Sequence, residues 1–298
     1  MKKLLIIGSQ GFIGSYCMQY FKDRYETYGV GIRAESGNNF FLIKDFGADI
    51  RKIVQKIEPD FCINASGSAN VAFSFSQPQK DFELNVYHVV HLLSAIREFA
   101  PACRVVNFSS AAVYGNPRQL PVSENHPVDP LSPYGFHKYQ SELIIREYTS
   151  WFGLNACSLR VFSGYGPGLK KQLFWDMYSK WKQNKAVELF GSGKESRDFI
   201  YISDLAEATS VIMKNAPFRG EAINVASGTE ITIRQAAETF ATAFGREIMI
   251  NFNGREKEGD PLHWKADISL LRSLGFAPAV PLETGVKAYT DWLINGSN

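Results

Sequence analysis

Residues 3–14 read KLLIIGSQGFIG. Leu4 to Ile7 form a short, continuous apolar run, the pattern of a strand buried on both faces. Gly8, Gly11 and Gly14 follow at once and open a helical pattern over 11–23. Glycines there permit a tight turn, close approach of the backbone to a pyrophosphate, and close packing of helix on strand. The helix N-terminus adds unpaired N–H groups and positive partial charge, both favourable to phosphate. Three glycines at this spacing say little alone; the strand before and the helix after supply the context the motif requires. Gly8, Gly11, Phe12, Ile13 and Gly14 are therefore the expected cofactor-binding turn.

Outward from this turn, further strand patterns lie at 27–32, 40–44, 61–65, 104–108 and 156–161, with helical patterns at 77–99 and 133–152. Strand–helix alternation with continuous apolar strands implies an α/β fold, a doubly wound parallel Rossmann sheet covered on both faces. After Gly164 the chain turns rich in Gly, Asn and Pro, and the segments shorten. The expected division is a dinucleotide-binding domain over 1–164 and a smaller C-terminal substrate-binding lobe over 165–298, with 199–225 returning to the main sheet.

The 298 residues are 45% hydrophobic and 21% charged, with a net charge of +2 and no block of like charges, so neither a nucleic-acid surface nor a membrane surface is expected. The opening MKKLLIIG has too short an apolar run for a secretory signal. Cys17, Cys62, Cys103 and Cys157 lie in apolar segments without CxxC spacing, as reduced thiols of a cytoplasmic protein would. No metal site is expected.

Residues 104–110 end a strand in Ser109–Ser110, followed by AAVYG, and SPYGFHKYQSE comes some way on. Ser132 suits an N-cap and Pro133 the first helical position, which puts Tyr134 and Lys138 four apart on one helix face. A phenol, with pKa near 10, becomes a base at neutral pH only when a nearby cation favours its phenolate. Bringing it to about 7 takes roughly 4 kcal/mol. Ser110 would orient a substrate oxygen by hydrogen bonding, and Tyr134 would exchange a proton with it during hydride transfer. A second YxxxK, Tyr178 to Lys182, has no strand-end serine before it and reads as part of an amphipathic helix.

GSQGFIG, SSAAVYG, PYGFHK, LRVFSGYGPG and SRDFIYISDLAEA together resemble the extended short-chain dehydrogenase/reductase family, in its group of nucleotide-sugar epimerases, dehydratases and ketoreductases. The resemblance runs from about Lys2 to about Asp267. It implies a tyrosine-dependent hydride mechanism, a nucleotide-sugar substrate and a homodimer. It places Ser110, Tyr134 and Lys138 on the catalytic set, Asp45–Phe46 on the pair contacting adenine, Asn85 on an asparagine of the long helix, and Phe162 beside the nicotinamide. Arg197 and Arg255 fall on arginines that bind the substrate diphosphate, with Lys257 as a neighbouring candidate. Two positions depart from the pattern. Ser163 stands where many relatives have Asn, and Ala111–Ala112 stand where 4,6-dehydratases carry an acid, which disfavours elimination of water.

The end of the second strand reads YGVGIRAES over 28–36. NAD recognition usually places an acid there, whereas NADP use favours an arginine and no acid. Gly31 leaves room and Arg33 follows, so NADP is favoured with NAD possible, Glu35 bending back to the ribose in the latter case. A 4-ketoreductase drawing on NADPH is the leading expectation, and a 4-epimerase with the same residues the alternative. A non-catalytic dinucleotide sensor is disfavoured by the intact Ser110–Tyr134–Lys138 set.

Overall fold

Side chains alternate along β1 (Lys3–Ile7): Leu4 and Ile6 enter one core cluster, Leu5 and Ile7 another, and all four are fully buried. A strand with both faces covered needs apolar residues at every position, which is why its sequence shows no alternation. The computed structural model describes residues 1–296 except 36, 38, 46, 185 and 246. After β1 come α1 (Phe12–Phe21), β2 (Glu26–Gly31), β3 (Phe40–Leu42), α2 (Arg51–Ile57), β4 (Phe61–Asn64), α3 (Val71–Ser76) and α4 (Pro78–Phe82). A π-helical turn (Glu83–Tyr87) runs into α5 (His88–Phe99); then follow β5 (Arg104–Ser110), a 3-10 turn (Ala111–Tyr114), α6 (Pro133–Phe152) and β6 (Asn155–Val161). The remainder is β7 (Ser163–Tyr165), α7 (Gln172–Asn184), β8 (Ala186–Leu189), β9 (Ser196–Tyr201), α8 (Ile202–Asn215), β10 (Arg219–Val225), β11 (Glu230–Thr232), α9 (Ile233–Phe244), β12 (Met249–Phe252), α10 (Ser269–Ser273) and α11 (Leu282–Asn295).

Among the described residues, seven strands form one parallel sheet in the order β10–β6–β5–β4–β1–β2–β3. Helices α1 and α8 cover one face through Cys17, Phe21, Leu205 and Ile212. Helices α2, α5 and α6 cover the other through Val54, Leu92 and Ile145. Burying each such side chain contributes about 1.5–3 kcal/mol. The strand order reverses beside β1, and ligands of doubly wound sheets bind at that switch, outside the carboxyl ends.

The segment 199–225 divides. Residues 219–225 enter the main sheet as its edge strand β10, but 199–201 belong to β9, which pairs with β7 in parallel and β11 in antiparallel. Asp198 holds β9 in that layer. Its fully buried carboxylate accepts from the N–H groups of Ser227 (2.9 Å), Gly228 (3.0 Å) and Ala266 (3.1 Å) and from the Ser227 hydroxyl (2.8 Å). A third core cluster, around Phe174, Phe199, Phe240 and Tyr289, lies under α7, α9 and α11. Tyr178 of the second YxxxK sits in α7 with its hydroxyl donating to the Leu293 carbonyl. No described helix is long and apolar enough to cross a membrane.

Candidate active site

The glycine turn is built by close approach. Gly8 has φ +78 and donates its N–H to the Val30 carbonyl at 2.9 Å. A Cβ on Gly14 would lie 2.1 Å from the Gly8 carbonyl oxygen, so α1 can start this close to the loop only without one. Gly11 is the N-cap of α1 and offers no side chain to its first N–H groups, and the first turn, which Phe12 and Ile13 open, has no acidic residue. The helix N-terminus is thus open to an anion. Gly14→Ala is expected to lower thermal stability by about 1–3 kcal/mol, as overpacking does, and to weaken dinucleotide binding. Melting and calorimetric titration check both effects.

At the end of β2 the structure departs from the expected opening over Gly31. The Gln10 side chain fills that space: a Cβ on Gly31 would come within 2.4 Å of Gln10 Oε1. Gln10 accepts from the Arg33 backbone N–H at 3.0 Å and donates to the Arg33 carbonyl at 2.7 Å and to Glu35 Oε2 at 3.2 Å. The Arg33 guanidinium turns back to the Gln10 carbonyl at 2.9 Å. One amide therefore ties the glycine turn to the strand end and brings Glu35 to it. Nothing in the spacing marked Gln10, because its role depends on the missing Cβ of a residue on another strand. Asp45 lies exposed after β3 and closes a turn by accepting from the Gly47 N–H at 2.9 Å. Phe46 lies outside the described residues.

Ser110, Tyr134 and Lys138 come together. Ser110 ends β5 and caps the 3-10 turn, accepting from the Ala112 N–H at 3.1 Å. Ser132 caps α6 by accepting from the Gly135 N–H at 3.1 Å, which starts the helix at Pro133 and turns Tyr134 and Lys138 inward, both buried. Lys138 Nζ donates to the Phe108 carbonyl at 2.9 Å, fastening α6 to β5 two residues before Ser110. Burial pushes the Tyr134 phenol up to about 12, against a lowering by its hydrogen-bonding partner Ser110. Burial also lowers the Lys138 ammonium to about 8, against Asp81, which raises it. The chain alone thus holds a neutral phenol beside a charged lysine at neutral pH.

Behind this set lies a buried ionic network. Arg160 of β6 donates to Glu142 of α6 at 2.7 and 3.0 Å and to the Tyr114 hydroxyl at 2.8 Å. Ser109 donates to Glu142 at 2.6 Å, and Tyr114 to Asn224 of β10 at 2.7 Å. Burial works against the Arg160 charge, but Glu142 holds its pKa above the ordinary value. Glu142 stands four residues after Lys138, so the network fixes the helix turn that carries the lysine. A charged residue inside the apolar run SLRVF was the sequence signal for it.

These residues fit a dinucleotide. Besides the uncapped α1, the Asn85 amide is buried in the π-helical turn, with neither polar atom partnered among the described residues. It adjoins Gly67, where a Cβ would lie 2.6 Å from Asn85 Oδ1. Phe162, at the end of β6, is buried between Tyr114 and Trp264, with ring centroids 6.2 and 5.7 Å away.

In the second lobe the Arg197 guanidinium donates to the carbonyls of Ser196 (2.8 Å) and Leu262 (3.3 Å), and its central carbon lies 5.5 Å from the Trp264 ring centroid. Asp260 lies 3.8 Å from it and 3.2 Å from Lys257 Nζ. Lys257, rather than Arg255, is thus linked to Arg197. Arg255 is exposed, on a loop whose carbonyl accepts from the Gly191 N–H at 2.8 Å. Neither Ala111 nor Ala112 brings an acid to Ser110.

A doubly wound parallel sheet with a glycine turn opening α1 and a Ser–Tyr–Lys set at the carboxyl edge of β5 defines an extended short-chain dehydrogenase/reductase. Residues 4–226 match the NAD dependent epimerase/dehydratase family, and the chain belongs to it. It is 29% identical, over 99% of both chains, to a putative UDP-glucose 4-epimerase of Methanocaldococcus jannaschii. It is 30% identical to the UDP-glucuronate 4-epimerase of Thermodesulfobacterium geofontis, over 77% of this chain and 71% of that one. Among solved structures it is similar to UDP-glucuronic acid 4-epimerase from Bacillus cereus in complex with UDP-glucuronic acid and NAD, with TM-score 0.89 and 26% identity over 98% and 99% of the two chains.

Proposed function

We propose that the protein is an NAD-dependent nucleotide-sugar 4-epimerase acting on a UDP-hexose. The observation that carries this reading is the Ser110–Tyr134–Lys138 set with no acid at 111–112, in a chain similar over its whole length to proteins named as 4-epimerases. Epimerisation fits better than the NADPH-consuming reduction expected from Gly31 and Arg33. Gln10 closes the space over Gly31 and presents Glu35, an acid suited to the ribose hydroxyls of NAD.

The residues that would hold NAD are the 8–14 turn, Glu35, Asn85, Lys138 and Phe162. When bound, NAD supplies the hydride acceptor and donor and, in its oxidised form, a positive charge. Ser110 orients the sugar O4. Tyr134 takes the proton of that hydroxyl and later returns it, after the keto sugar has turned its other face. Lys138 supports the phenolate, and the fixed Phe108 carbonyl fixes the lysine. Arg197 holds the diphosphate, with Lys257 freed from Asp260 as its partner. Two copies associate through α4–α6 and the π-helical turn, where Phe82, Tyr87, Phe136 and Leu143 are exposed.

The test is incubation with UDP-glucose, UDP-glucuronate and UDP-N-acetylglucosamine, following sugar configuration by NMR and NADH or NADPH by absorbance. Inversion at C4 without net cofactor use is expected, with NAD bound more tightly than NADP. Stoichiometric NADPH oxidation on a 4-keto sugar, with no inversion, would overturn the reading.

A further inference from the structure

His137 and Asp81 form a buried pair that the reaction above does not use. His137 Nδ1 lies 2.7 Å from Asp81 Oδ2. Asp81, on α4, is fully buried, and its second oxygen, Oδ1, has no hydrogen-bond partner among the described residues. An ionised carboxylate only accepts, so beside one the bridging proton sits on Nδ1. A buried carboxylate is costly unless a cation answers it.

Position says which cation. Tyr134, His137 and Lys138 occupy one face of α6 within a single turn, so a carboxylate docked on His137 stands beside the face that the tyrosine and lysine share. Asp81 is the charge that acts on the Tyr134 hydroxyl, and it leads the charges that act on Lys138. Other titratable groups are committed elsewhere or have the wrong sign. Glu142 also raises Lys138, behind Asp81, but is bound by Arg160, which also holds Tyr114. Lys171, from the loop after β7, repels Lys138. His88 is buried at the start of α5, while Lys80, Glu83 and Tyr87 are exposed.

We propose that Asp81, held by His137, is a positioning residue for Lys138, supplying the buried negative charge that keeps its ammonium charged beside Tyr134. This rests on the tyrosine–lysine reading above, but its first test needs no turnover. In unliganded protein labelled with [13Cε]lysine, the Lys138 signal is assigned through Lys138→Arg and titrated in the wild type and in Asp81→Asn. The expected result is a titration midpoint at least one pH unit lower in Asp81→Asn, a loss of proton affinity of about tenfold or more. Equal midpoints in the two folded proteins overturn the proposal.

Should Asp81→Asn not fold, the double variant Asp81→Leu/His137→Leu removes both partners and orphans neither. The same two outcomes then decide. In turnover, Asp81→Asn is expected to lose kcat at lower pH than the wild type, with KM unchanged. A raised KM on an unmoved pH profile counts against the proposal. A wild type without epimerase activity but with the expected Lys138 titration overturns the functional reading and leaves the Asp81 pairing standing.

Discussion

Tyr134→Phe is expected to remain folded, to bind NAD, and to lose roughly 10³-fold in turnover. The substitution removes one oxygen and keeps the ring that packs at the head of α6. A positioned general acid–base group typically contributes about 10²–10⁴-fold. Its neighbours at the end of β5 cannot substitute, because Ser110 is a poor base and positions 111 and 112 are alanine. The matching control is Tyr178→Phe, in the second YxxxK. Its hydroxyl donates to a backbone carbonyl of α11, so turnover should stay near the wild-type value. If Tyr134→Phe turns over like the wild type, the assignment of the tyrosine fails. The pH profile carries the same logic. Burial lowers Lys138 to about 8, so the charged lysine is present below that pH and lost above it. Activity that depends on the ammonium should therefore decline as pH rises through this range.

The largest expected effect on stability is that of Glu142→Ala. It would leave the Arg160 guanidinium buried with its carboxylate gone, and breaking a buried pair from one side costs about 3–5 kcal/mol. For a chain of this size that lowers the melting temperature by on the order of 10 °C. Scanning calorimetry measures it. Glu142→Leu/Arg160→Leu, which removes both charges, is expected to recover most of the loss. A single variant within about 1 kcal/mol of the wild type would mean that water already reaches Arg160. Turnover should fall together with stability, because Glu142 sets the helix turn that carries Lys138.

The sheet was legible because strands covered on both faces leave a local mark, a short apolar run at each of β1, β4, β5 and β6. Helix α6 was legible to its ends, since Ser132, Pro133 and Gly153 carry cap chemistry in the sequence itself. The Ser110–Tyr134–Lys138 set was legible because strand-end serine and helical tyrosine–lysine spacing are both local patterns. What failed to show was everything made across elements. Gln10 over Gly31, Asp81 against His137, and the ties of Asp198 join residues far apart in sequence, and no periodicity records such pairings. The preference for NADP over NAD finds no support for that reason. Gly31 reads as empty space until the side chain that fills it, from a loop twenty residues earlier, is in view.

The position of β10 bears on how the protein is made. The outer edge of β6 is paired by a strand that follows the whole β7–α8 excursion. While a ribosome synthesises that excursion, β6 presents a row of unsatisfied amides and carbonyls to solvent. At roughly 5–20 residues per second the exposure lasts on the order of several seconds. An open edge of this kind templates pairing between nascent chains. Mutations that delay docking of α8 or β10 should therefore appear first as poor soluble yield, before any change in the finished enzyme.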